Sequence, residues 1–235
     1  MPVPNLIGTK SESSLHRALK FRYTGPDGQT EVEIAGFVAD GICANGECIE
    51  VQTTNFARVR EKFKKLASQR RVRIVYPVIL NKYIDVYSKR GKKMWRRKSP
   101  LRGNPWNLFD VLCYAPDLPL IPGITIELAL VDVQEQRVQD GKGSWRRKGI
   151  SIKDRELLAW HESISLESPA DYLRFVPFEE KEQFTTSMLK EKASITPQLA
   201  RMTLYTLTKM QVVKRVGKKA NAWLYEINRP QRKIN

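Results

Sequence analysis

Residues 33–54, EIAGFVADGICANGECIEVQTT, read as an apolar strand reaching Asp40, a tight Asn45-Gly46 turn, and a second apolar strand interrupted by Glu50 and Gln52. Carboxylates on strands otherwise suited to burial are costly unless they are paired or bind a metal. The fold must therefore supply positive charge to these acids. The hairpin admits two registers. A three-residue loop, Ala44-Asn45-Gly46, with Gly46 in the left-handed region pairs Cys43 with Glu47 and sets Asp40 opposite Glu50, side chains on one face. A two-residue Asn45-Gly46 loop pairs Ala44 with Glu47 and puts the two acids on opposite faces. A shared site requires the first register, although the sequence does not force it.

The chain carries 41 Lys plus Arg against 25 Asp plus Glu, a formal charge of +16. Such an excess suits a phosphate backbone or an anionic surface, because a basic protein releases condensed counterions when it binds. A hydrophobic content of 41% is enough for a core. No apolar run approaches the roughly 18 residues needed to cross a bilayer. The N-terminal MPVPNLIGTKSESS lacks the layout of a secretion signal. Three cysteines without zinc spacing argue against a disulfide framework or a zinc finger. The expected setting is soluble, intracellular and cytoplasmic, with no membrane partner.

The element pattern predicts a first helix from Ser11, its N-cap, to about Tyr23, then a Gly25-Pro26-Asp27-Gly28 turn and strands near 30–38, 40–44 and 48–54. Phe56, Val59, Phe63 and Leu66 recur at helical spacing to about Gln69. Val72 to Leu80 reads as a strand buried on both faces, and Tyr83 to Tyr87 as its neighbour. A helix near 105–113 and a strand at 124–133 follow. Residues 134–153 read as a loop or hairpin, and 154–176 as a short helix, a strand at 164–166 and another short helix from Pro169. The expected fold class is α/β, a mixed central sheet flanked by helices.

After Val176-Pro177 the composition shifts: residues 184–235 hold 11 Lys or Arg against two Glu. Helices near 185–192 and 197–210, then strands at 212–216 and 223–227 around a Lys218-Lys219 tip, have the layout of a winged helix. The chain thus divides into residues 1–176 and a small winged-helix domain at 177–235.

Cutting a phosphodiester calls for a divalent ion to neutralise developing charge and activate water. Mg²⁺, or Mn²⁺ in its place, takes hard oxygen ligands, with water and substrate phosphate filling the remaining positions. Asp40 and Glu50, with the Val51 carbonyl, supply such a set. Gln52, two residues on, faces the same way as Glu50 and can orient a water. Glu12 shares a helix face with Leu15 and His16 and is the third candidate acid, although the helix dipole alone favours an acid there. His16 and His161 are too scattered for a nucleophilic pair; His16 reads as a helix residue near the carboxylates and His161 as structural. Cys43 and Cys48 read as packing residues.

Glu12, Asp40 and Glu50-Val51-Gln52, on a helix and two successive strands, resemble the PD-(D/E)XK nucleases, the restriction-endonuclease-like superfamily. The order through Val72 to Leu80 is similar to its Holliday-junction-resolvase-like members. ESSLHRALK, IEVQTTNF and VRIVYPV resemble an uncharacterised bacterial family of this type with a winged-helix tail. The resemblance covers residues 11–90. It implies metal binding by Asp40 and Glu50, with Glu12 as accessory acid. Gln52 replaces the usual lysine and Ala39 the usual proline. A glutamine only donates and accepts hydrogen bonds, whereas a lysine also carries charge.

Residues 89–98 form a dense cationic run, and Trp-Arg-Arg-Lys recurs at 145–148. Arg96, Arg97, Lys98, Arg146 and Arg147, with Arg201, Lys218 and Lys219 in the tail, are the expected phosphate contacts; a solvated loop is the bland alternative. The expectation is a metal-dependent endonuclease acting on double-stranded or branched DNA; cutting both strands would call for a homodimer. The alternatives are a catalytically inactive DNA-binding regulator and a subunit of a defence or mobile-element complex.

Overall fold

A computed structural model describes residues 12–53 and 56–228. Among these residues seven strands form one mixed sheet with helices on both faces. The first helix, α1 (Ser14–Thr24), is capped by the Ser13 side chain, which accepts from the His16 amide. The expected cap, Ser11, lies outside the described residues. Glu12 therefore precedes the cap rather than sitting in the first turn. Leu15 and Leu19 form the buried side of α1.

β1 (Gln29–Ile34) and β2 (Phe37–Ile42) are joined by Ala35 and Gly36, both at positive φ, which closes a two-residue hairpin turn. β3 (Cys48–Val51) then pairs antiparallel with β2. The Cys43 amide donates to Glu47 O, and Gly46 has φ 82°. The three-residue loop is formed, and with it the register the acids require. α2 (Phe56–Ala67) buries Phe56, Phe63 and Leu66 and returns the chain to β4 (Val72–Ser88), parallel to β3.

β4 is one strand where the sequence suggested two. Its register shifts between Ile79 and Asn81, where Asp132 Oδ1 accepts from both the backbone and side-chain nitrogens of Asn81. The basic run, for which a solvated loop was the bland alternative, includes β5 (Lys93–Lys98), paired with the outer half of β4. A 3-10 turn (Pro105–Leu108) and the single helical turn α3 (Phe109–Leu112) lead to β6 (Ile124–Gln139), parallel to β4, and β7 (Ile150–Leu166), antiparallel to β6. The short helix expected after residue 154 is part of β7. The order across the sheet is β1-β2-β3-β4-β6-β7, with β5 beside β4.

Two apolar clusters sandwich the sheet. α2 packs with Cys48, Ile74, Ile126 and Leu128 on one face. α1 packs with Ile49, Val51, Val75 and Val131 on the other. Beyond Leu80, Val133 and Leu157, neither cluster continues into the outer half of the sheet. Buried acids are paired there instead. Glu135, wholly buried, accepts from Arg137 Nε at 2.7 Å and Arg155 Nε at 2.8 Å, and Asp85 accepts from Lys93 at 2.9 Å. Asp154 of β7 accepts both the backbone N–H and the hydroxyl of Ser14, fastening the start of α1.

The tail elements fall where the sequence puts them: α4 (Thr186–Lys192), α5 (Pro197–Lys209), β8 (Val213–Lys219) and β9 (Ala222–Ile227). Thr185 and Thr196 cap the two helices. The charge shift at residue 176 is not matched by a break in the core. One cluster runs from Leu128 and Phe109 through Phe175 to Leu204, Leu207 and Val213.

Candidate functional site

The β2–β3 ladder ends at Gly41↔Ile49. Beyond it, β2 stays with β1 while β3 stays with β4, so the strands fork at Asp40 and Glu50. The fork leaves the Val51 amide without a backbone acceptor from β2. Asp40 Oδ2 takes that place at 2.8 Å. One residue on, the Gln52 amide donates to Val75 O at 2.9 Å, which holds Gln52 beside β4.

His16 reaches this fork from α1. Its Nε2 lies 3.0 Å from Val51 O and 3.2 Å from Asp40 Oδ2, while Nδ1 lies 2.7 Å from Glu12 Oε1. Lys20, one turn further on, lies 2.9 Å from the same Glu12 oxygen and 3.2 Å from Glu31. Burial alone would lower the His16 pKa, but bonds to Asp40 and Glu12 raise it to about 9. The ring is therefore an imidazolium at neutral pH. Against burial, which would raise it, His16 holds Asp40 below the usual carboxylate range, helped by the Val51 amide and Lys62. Glu12 is lowered in the same way: His16 and Lys20 outweigh its burial.

Glu50 is only 4% exposed and is met from the other face. Lys62 of α2 places Nζ 2.7 Å from each carboxylate oxygen, donating to Oε2. Oε1 is buried and receives no well-aligned hydrogen bond. Burial raises the Glu50 pKa to about 7, opposed by Lys62 and reinforced by the charge of Asp40.

The expected acids thus converge in two linked parts: Glu12, His16 and Asp40 from the α1 side, and Glu50 with Lys62 from the α2 side. The register is the expected one, but the two carboxylates are engaged from different faces, because the fork turns Asp40 toward the Val51 amide. Among the described residues no three His, Cys, Asp or Glu side chains form a group able to hold a metal ion. The oxygens of Asp40 and Val51 do converge, since one His16 nitrogen lies close to both. These are hard oxygens of the kind a divalent ion takes, but His16 Nε2 already lies against those of Asp40 and Val51, and Lys62 Nζ lies 2.7 Å from Glu50 Oε1.

Lys62 is the site residue that the sequence reading missed, whereas His16, read as a helix residue near the carboxylates, lies against both Glu12 and Asp40. His16 follows Glu12 by one helical turn, and Lys62 borders the Val59–Phe63–Leu66 stripe, so spacing carried a signal for both. His161 pairs with Asp132 at 3.1 Å, away from the fork. Cys48 is buried with its thiol pushed up to about 12, mainly by burial, consistent with packing.

The expected phosphate contacts are dispersed. Arg96, Arg97 and Lys98 lie exposed on β5, with Arg96 over Tyr83 and Arg97 near Trp95. Arg146 and Arg147 lie in a 3-10 turn between β6 and β7. Arg201 is exposed on α5; Lys218 and Lys219 are exposed on β8, with Lys218 Nζ 4.4 Å from the Trp223 ring centre.

A family profile described as a domain of unknown function (DUF8091) matches residues 13–167, from the cap of α1 to the residue after β7. The chain belongs to this family. The matched span contains His16, Asp40, Glu50, Gln52 and Lys62; α4 to β9 lie outside it. An uncharacterized protein of Treponema pallidum (strain Nichols) is 33% identical over 152 residues, 65% of this chain and 61% of that protein. The chain therefore spans less than two thirds of that relative's length. No solved structure matches the chain. No helix among the described residues is long and apolar enough to cross a membrane.

Proposed function

We propose that the chain is a metal-dependent endonuclease of the PD-(D/E)XK type, hydrolysing DNA phosphodiesters in the cytoplasm. The observation that carries the reading is the fork: the oxygens of Asp40 and Val51 converge beside buried Glu50 in a chain of charge +16. The order α1-β1-β2-β3-α2-β4 supports it. Asp40, Glu50 and the Val51 carbonyl would hold Mg²⁺ or Mn²⁺. That ion supplies charge neutralisation at phosphorus and lowers the pKa of bound water. Glu12 orients His16, and His16 positions the Asp40 carboxylate. Gln52 offers a neutral hydrogen-bonding group on the Glu50 side of β3. Lys62 brings to Glu50 the positive charge that the motif's missing lysine would have carried. The helix pair and hairpin α4 to β9 act, in this reading, as a winged helix on the duplex, through Arg201, Lys218 and Lys219.

One observation favours the second reading, a DNA-binding regulator without catalysis. His16 and Lys62 already pair with both carboxylates, and Gln52 carries no charge. Incubation of plasmid, linear, branched and single-stranded DNA with Mg²⁺ or Mn²⁺ separates the two. Cutting that disappears in both Asp40→Ala and Glu50→Ala establishes the hydrolase. Binding without cutting on every substrate establishes the regulator.

A further inference from the structure

β4 and β6 end in register, Ser88 opposite Gln139, and Gln139 in turn lies opposite Ile150 of β7. The β4–β5 turn (residues 89–92) and the β6–β7 turn (residues 140–149) therefore stand side by side at one end of the sheet. Together they hold seven Lys or Arg and one acid, Asp140. Asp140 is occupied locally, accepting from the Lys142 amide and the Ser151 hydroxyl. None of the seven cations forms an ion pair with a carboxylate among the described residues, whereas the cations lower on the sheet do. Positive charge has been concentrated at this tip and left unneutralised.

The second turn is also pre-shaped. Gly141 and Gly149 take positive φ, and a side chain at Gly143 would collide with the Ile150 carbonyl. The 3-10 turn raises Trp145 to 83% exposure, with Arg146 beside its ring. An indole so exposed to water is poised for a flat partner. We propose that this paired tip is a second nucleic-acid contact, gripping the backbone through its cations while Trp145 stacks on an unpaired base.

Two observations favour a nucleic acid over an anionic bilayer. Trp145 is the single large apolar side chain in the two turns, too little apolar area for an interfacial anchor. The tip also continues into β5, where Arg96 lies over Tyr83 and Arg97 near Trp95, the alternation of cations and rings that tracks a strand. Asp154, four residues along β7 from Ile150, is bonded to Ser14 at the start of α1, two residues from His16. Roughly 13 Å of strand thus separates the tip from the helix that serves the fork, so one nucleic-acid chain can touch both. The tip rests on the hydrolase reading for its role in substrate placement, but its binding is measurable without catalysis.

The test uses the full chain, EDTA, and a labelled single strand of about 40 nucleotides, read by anisotropy over a salt series. The triple variant K89Q/R90Q/R146Q changes exposed turn residues only. It should bind at least tenfold more weakly near 0.1 M salt, with a log–log salt slope shallower by about 2. Trp145→Ala should weaken binding about tenfold and leave the slope unchanged. Unchanged affinity and slope in the triple variant would overturn the proposal. So would tip-dependent binding to phosphatidylglycerol vesicles with no effect on the oligonucleotide. If no metal supports cutting but the triple variant still loses binding, the hydrolase reading fails and the tip stands. If wild type cuts and the triple variant binds and cuts equally well, the tip fails alone.

Discussion

Glu50 and His16 are both displaced from their ordinary pKa values, and the displacements act on stability over adjoining pH ranges. The Glu50 pKa is raised to about 7, so the folded protein holds a proton there that the unfolded chain releases near 4.5. Its contribution therefore declines as pH climbs from about 4.5 to 7. His16 is raised to about 9 from 6.5, so its contribution is complete below 6.5 and is lost on rising through 9. Each swing is on the order of 3 kcal/mol at most. Urea unfolding of the metal-free protein across this range should show Glu50→Gln flattening the lower window and His16→Ala the upper. A Glu50→Gln profile that still falls between pH 4.5 and 7 would contradict this assignment. Lys62→Met should be less stable than wild type at pH 8 by on the order of 3 kcal/mol, because it strands a buried carboxylate.

The β2–β3 hairpin shows what local sequence can specify. Asn45-Gly46 marks the turn, and Gly46 at φ 82° selects the three-residue loop over the two-residue one. Gly46→Ala should reduce stability by about 1 kcal/mol in denaturant titration, since its Cβ meets little but the backbone is strained. α2 and the tail elements were equally legible, through apolar spacing and through Pro197 at the start of α5. The strand β7 was not. Asp154 to Glu162 is rich in good helix formers, and pairing with β6 over nearly its whole length overrides that preference. β5 gave no alternation to read because all six of its residues are exposed. The acids of the site were readable from their misfit with apolar strands. The fork depends on where the β2–β3 ladder stops, which spacing along the chain does not encode, although helical spacing put His16 with Glu12 and Lys62 beside the apolar stripe of α2.

Across the whole molecule, sequence composition and packing divide the chain differently. Charge divides it at residue 176, yet Phe109 packs edge-on against Phe175 within the same cluster that takes in Leu204 and Leu207 of α5. The full chain should accordingly melt in one cooperative calorimetric transition. A chain ending at residue 176 would lose its covering of α3 and melt at least about 10 °C lower. Two separate transitions in the full chain would show that the tail folds independently. The sandwich has a consequence for the fork as well. Its two counter-charges come from helices rooted in different cores, Lys62 beside Phe63 and His16 beside Leu15 and Leu19. Loosening one core withdraws a single jaw of a two-sided vice. A cavity made at Phe63 would then let the Glu50 pKa rise further, and one made at Leu19 would let that of Asp40 climb back toward its ordinary value, so each core answers for a different acid.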